Sequence, residues 1–100
     1  MEFERTIVIG RLTERPTAFG AKAGRKSHSG VRFRISRDGR EHPITAFGKL
    51  ADKIFDNLNK GDLCLIEGRV TKWANMQGIA RKKYPSIIAD NVVFCSRKEA

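Results

Sequence analysis

Gly30-Val31-Arg32-Phe33-Arg34-Ile35-Ser36-Arg37 alternates apolar and polar residues without a break. Side chains repeat with a period of two only in a strand, so this segment is a half-buried strand. Val31, Phe33 and Ile35 point inward; Arg32, Arg34 and Ser36 point outward. Asp38-Gly39 follows, a pair that favours the positive φ angles of a tight hairpin turn. Residues 41–48 are then the partner strand. Its parity sets His42, Ile44 and Ala46 on one face and Glu41, Pro43, Thr45 and Phe47 on the other.

The rest of the chain is arranged around that hairpin. Glu4-Arg5-Thr6-Ile7-Val8-Ile9-Gly10-Arg11-Leu12 is rich in β-branched residues and reads as a first strand. Residues 16–29 hold Gly20, Gly24, Lys22, Arg25 and Lys26 with little that is apolar, and read as a basic loop. From Lys49 to Asn59 the period changes: Leu50, Ala51, Ile54, Phe55 and Leu58 form one helical stripe, with Gly61 placed to stop the helix. Residues 62–72 form the next strand, 73–83 a second basic loop, and 84–95 the last strand. The order β-β-β-α-β-β in one 100-residue chain predicts an all-β fold with one short helix. It is the plan of the oligonucleotide-binding fold, a five-stranded Greek-key barrel. One domain over residues 1–96 and a short polar tail, 97–100, account for the length.

Charge narrows the range of partners. Twenty Lys and Arg stand against 11 Asp and Glu, a formal net charge of +9. Such an excess favours polyanions. It collects in two blocks. Residues 22–40 hold Lys22, Arg25, Lys26, Arg32, Arg34, Arg37 and Arg40 against Asp38 alone; residues 69–83 hold Arg69, Lys72, Arg81, Lys82 and Lys83 with no acid. No apolar run approaches the roughly 20 residues of a membrane span, which argues against a membrane partner. The N-terminus has no secretory pattern, so a cytoplasmic, nucleoid-associated protein is expected.

Catalytic and metal chemistry find little support. There is no CxxC, and His28 and His42 have no ligand spacing, so neither a metal nor another cofactor is expected. Cys64 and Cys95 lie in apolar strand-like runs and read as buried, reduced thiols. Gly48-Lys49 is not a P-loop, because Pro43 and Leu50 stand where that pattern needs Gly and Ser or Thr. The acids are scattered, and nothing nominates an active site.

Four stretches resemble the bacterial-type single-stranded DNA-binding proteins: Ile7-Val8-Ile9-Gly10-Arg11-Leu12-Thr13-Glu14-Arg15-Pro16, Ala46-Phe47-Gly48-Lys49-Leu50-Ala51, Lys60-Gly61-Asp62-Leu63 with Ile66-Glu67-Gly68-Arg69, and Ile88-Ala89-Asp90-Asn91-Val92. They occur in the family's order and cover nearly the whole chain. The resemblance implies a barrel that wraps single-stranded DNA with little sequence preference, as a homodimer or homotetramer. It also places a base-stacking phenylalanine at Phe47. The chain departs from the family pattern in four ways. Its last residues are basic, without an acidic-hydrophobic tip. The second and third strands are joined by only Arg37-Asp38-Gly39-Arg40. Glu41 stands where many members carry a stacking aromatic, and the loop from Trp73 to Tyr84 is compressed. These departures imply weaker binding, or an accessory replication protein that acts through a protein partner; an RNA-binding barrel is a third reading.

Gripping single-stranded nucleic acid takes cations that track phosphates and flat rings that stack on bases. The candidate residues are Arg32, Arg34, Arg37, Thr45, Phe47, Lys49, Arg69, Lys72, Trp73, Arg81, Lys82, Lys83 and Tyr84. Phe47 points outward beside Thr45, on the side of the arginines; packing on a loop or a subunit interface is the competing reading. Trp73 reads equally as a stacking platform or a cap on the barrel, and Tyr84 as a strand opener. Phe33, Phe55 and Phe94 are assigned to the core, while Phe3 and Phe19 stay unassigned.

Overall fold

The computed structural model describes residues 4–20, 30–70 and 86–97. The order is β1 (Glu4–Leu12), β2 (Thr17–Phe19), β3 (Gly30–Arg37), β4 (Arg40–Phe47), α1 (Gly48–Asn57), β5 (Leu63–Val70) and β6 (Ile87–Ser96). The strands hydrogen-bond in the order β1-β5-β6-β4-β3, and β1 also pairs with β3, which closes a five-stranded barrel. The expected oligonucleotide-binding architecture is therefore present.

The β3–β4 hairpin is as the alternation predicts. Asp38 and Gly39 take φ of 53° and 79° and leave eight residues on each side in register, from Gly30↔Phe47 to Arg37↔Arg40. Positive φ at both central residues gives a turn whose twist matches that of the strands. Val31, Phe33, Ile35, Ile44 and Ala46 are buried, and Arg32, Arg34 and Phe47 are exposed.

Three elements differ most from expectation. Residues 17–19, read as loop, form β2. β1 reaches β3 only at Ser36 and Ile35, and the Thr13 N–H donates to the Arg34 carbonyl; β2 then takes up the remaining edge of β3, opposite Gly30 to Arg32. A buried barrel strand needs its backbone groups satisfied on both sides, and β2 supplies them. The helix also ends earlier, at Asn57. Leu58 turns extended, still donates its N–H to the Ile54 carbonyl, and drops into the core at 3% exposure. Gly61 belongs to the turn beyond, where Arg11 and Leu12 bind its backbone. Finally, β6 begins at Ile87 and runs through Ser96.

The core unites Leu12, Val31, Phe33, Ile35, Ile44, Ala46, Cys64, Ile66, Ile87 and Ala89 from the barrel with Ala51, Ile54 and Leu58 from the helical connection. Helix α1 packs against β3, β4 and β6 and so plugs one end of the barrel. Phe94 and Cys95, assigned to the core from their apolar run, are both exposed. The β5–β6 register shifts between Leu63 and Cys64, and β6 there passes the end of the packed core. Phe94 instead lines an open groove of about 280 Å³ with Leu50, Ile54 and Leu58. Arg97 lies over its ring, at 5.3 Å. Phe55, on the helix stripe, is only half-buried and carries Arg15 at 5.3 Å.

Candidate nucleic-acid interface

The outward face of β3 and β4 is built by register. One row runs Thr17–Arg32–Thr45–Ile88–Arg69–Arg5 across β2, β3, β4, β6, β5 and β1. A second runs Phe19–Gly30–Phe47, and a third contains Arg34 and Pro43. Neighbouring strands lie about 4.8 Å apart, so Arg32, Thr45 and Phe47 are close neighbours on one continuous surface. Arg34 is one step further along the hairpin.

Phe47 is half exposed, at 50%. It is the last residue of β4, and α1 leaves the sheet immediately after it, so among the described residues β4 itself continues no further over its ring. Phe19 meets it edge to face, with ring centroids 6.1 Å apart and planes at 86°. The guanidinium of Arg32 lies 4.4 Å from the centroid of Phe19. Gly30, between the two rings, is required. A Cβ there would stand 2.6 Å from the Phe19 ring and 2.6 Å from the Ala46 carbonyl oxygen.

The cations differ in what they already touch. Arg34 lies 3.9 Å from Glu41, so the carboxylate that stands where many family members carry an aromatic is partly answered by a cation of the same hairpin. The pair is exposed, and such pairs contribute at most about 1 kcal/mol. Arg37 is at the hairpin tip, 3.7 Å from Asp38. Arg69 is held by both oxygens of Asp90, its Nε donating at 3.3 Å and its Nη2 at 3.1 Å. Among the described residues, no carboxylate lies within ion-pair distance of Arg32, whose partner is a ring. Lys49 is exposed in the first turn of α1.

Arg32, Arg34, Thr45 and Phe47 are thus brought together on one face, with Lys49 beyond the end of β4. Arg37 and Arg69 stand at its margins, each beside an acid. Lys72, Trp73, Arg81, Lys82, Lys83 and Tyr84 lie outside the described residues. Sequence reasoning left Phe19 without a role. The signal was slight: one aromatic between Pro16 and Gly20 in a three-residue strand. A polar face with an exposed ring, guanidiniums at its edge and a threonine hydroxyl between them offers stacking and phosphate contact.

Comparisons with known proteins agree with this fold. The profile of the single-strand binding protein family matches residues 3–95. No curated protein matches by sequence. Among solved structures, the SSB domain of a protein from Synechococcus sp. superposes with a TM-score of 0.70 at 15% identity, covering 93% of this chain and 97% of that one. A small single-stranded DNA-binding protein from Streptomyces coelicolor superposes at 0.71 with 17% identity, covering 95% of this chain and 94% of that one. At such identities the superpositions speak for the fold, and the profile for descent. With the barrel closed, the helix in place and the match running nearly end to end, the chain is a member of the single-strand binding protein family.

Proposed function

We propose that the protein binds single-stranded DNA without catalysis and with little sequence preference, through the outward face of β3 and β4. The observation that carries the reading is the exposed Phe47 ring on one continuous surface with Arg32, Arg34 and Thr45. A base stacks on the ring, and the guanidiniums meet the phosphates on either side. The basic stretch Arg81-Lys82-Lys83 joins the reading through its charge. Self-association belongs to the same reading. Among the described residues, β1 pairs on its β3 side only at Arg11 and Leu12, which leaves a long edge for a second copy, with Ile7 63% exposed beside it.

Phe47→Ala tests the central contact. Stacking contributes about 1–3 kcal/mol per base. The dissociation constant for dT oligomers at fixed salt should rise by about an order of magnitude, with the circular dichroism spectrum and melting temperature unchanged. An unchanged constant refutes the assignment. A second reading, an accessory replication protein with weak DNA affinity, draws on the acids beside Arg34 and Arg69, which lower the positive charge of the face. Comparing dT, rU and duplex oligomers separates DNA binding from that reading and from RNA binding.

A further inference from the structure

Phe19 is turned away from the core. Its neighbour Ala18 packs against the buried cluster, while Phe19 faces the other side of β2, with the Arg32 guanidinium and the Phe47 ring as its partners. Phe19 and Phe47 are two strands apart, so about 10 Å separates their backbones. Their rings meet at 6.1 Å because Gly30 leaves the row between them empty. Phe19 is half-buried on a three-residue edge strand, over a glycine that a methyl group would fill, and its ring touches both neighbours.

We propose that Phe19 is a positioning residue of the DNA-binding face: it holds the Arg32 guanidinium ready for a phosphate and braces Phe47 at right angles for a base. The inference rests on the reading of this face as the DNA surface. A guanidinium over a ring carries its N–H donors in a planar fork that can reach outward to a ligand, which an ammonium cannot reproduce. A side chain already held in place also gives up less freedom when the ligand arrives. Arg32 and Arg34 therefore do different work. Arg34 is partly answered by Glu41; Arg32 is held by a ring, with no carboxylate within ion-pair distance among the described residues.

The test measures dT-oligomer affinity across a salt series for wild type, Phe47→Ala, Phe19→Leu, Arg32→Lys, Arg32→Ala and the double variant Phe19→Leu/Arg32→Ala. Phe19→Leu should bind about two- to fivefold more weakly. Its slope of log K against log salt should flatten by up to about 0.7, the value of one neutralised phosphate on a single strand. Arg32→Lys should weaken binding to a similar degree although the charge is kept. In the Arg32→Ala background, Phe19→Leu should not flatten the slope further. Should Phe19→Leu fail to fold, Arg32→Lys, altered only at an exposed position, decides. If Phe47→Ala weakens binding while Phe19→Leu and Arg32→Lys keep the wild-type slope and affinity, Phe19 has no such role. An equal flattening with and without Arg32 overturns the coupling. A wild type that binds no dT oligomer overturns the DNA reading itself, and this inference with it.

Discussion

Cys64 and Cys95 show how far one residue's surroundings decide its chemistry. Cys64 is sealed in the core, and burial pushes its thiol up to about 12, with Cys95 and Asp62 adding to the effect. In the unfolded chain the thiol titrates near 9.0. Between those values the unfolded state has released a proton that the folded state keeps, so stability falls as pH rises from about 9 towards 12. The slope from this group is at most about 1.4 kcal/mol per pH unit. Urea midpoints of the wild type should therefore drop more steeply over that window than those of Cys64→Val; parallel curves would deny the linkage. Residues in strict alternation were legible from the sequence: Val31, Phe33 and Ile35 inward, Arg32 and Arg34 outward. Cys95 and Phe94 were not, because Val92-Val93-Phe94-Cys95 has no alternation to assign a face, and the strand outruns the core where that run ends.

At the scale of elements, the β3–β4 hairpin presents Arg32, Arg34, Thr45 and Phe47 of the candidate site, and its turn sets their register. Gly39 has a left-handed backbone at φ 79° with open space around it, so Gly39→Ala meets strain without a clash. A loss of about 1–2 kcal/mol in unfolding free energy is expected, with an unchanged denaturant slope and, for the folded fraction, unchanged DNA affinity. A shift in affinity would mean that the register itself had slipped. The hairpin and the helix were readable because their periods are long enough to count. β2 was not readable: three residues have no period, and what makes Thr17–Phe19 a strand is the unmet edge of β3, a property of the fold. The early end of α1 has a similar cause. Leu58 continues the apolar stripe in sequence, yet reaches the core in an extended conformation.

For the molecule as a whole, a net charge of +9 favours long-range attraction to polyanions, and the sequence concentrates it in two basic blocks. Replacing Arg81, Lys82 and Lys83 with alanine should flatten the salt dependence of DNA binding by about 0.7 log units for each phosphate left without its cation. A slope equal to that of the wild type would remove the stretch from the binding surface. The clustering of charge was plain in the sequence. The distribution of counter-charges was not, since Asp90 reaches Arg69 only across the β5–β6 ladder, and Glu41 reaches Arg34 only across the hairpin.

Among the described residues, the barrel closes between β4 and β6 through two parallel pairs, Ile44↔Ile87 and Thr45↔Ile88, as few as join β1 to β3 and far fewer than the β3–β4 or β5–β6 ladders provide. Parallel pairing is also the weaker kind per residue. If the proposed face takes a nucleotide chain from Arg32 past Thr45 to Ile88, the ligand spans that joint like a suture, and a loaded barrel should then resist springing open better than an empty one.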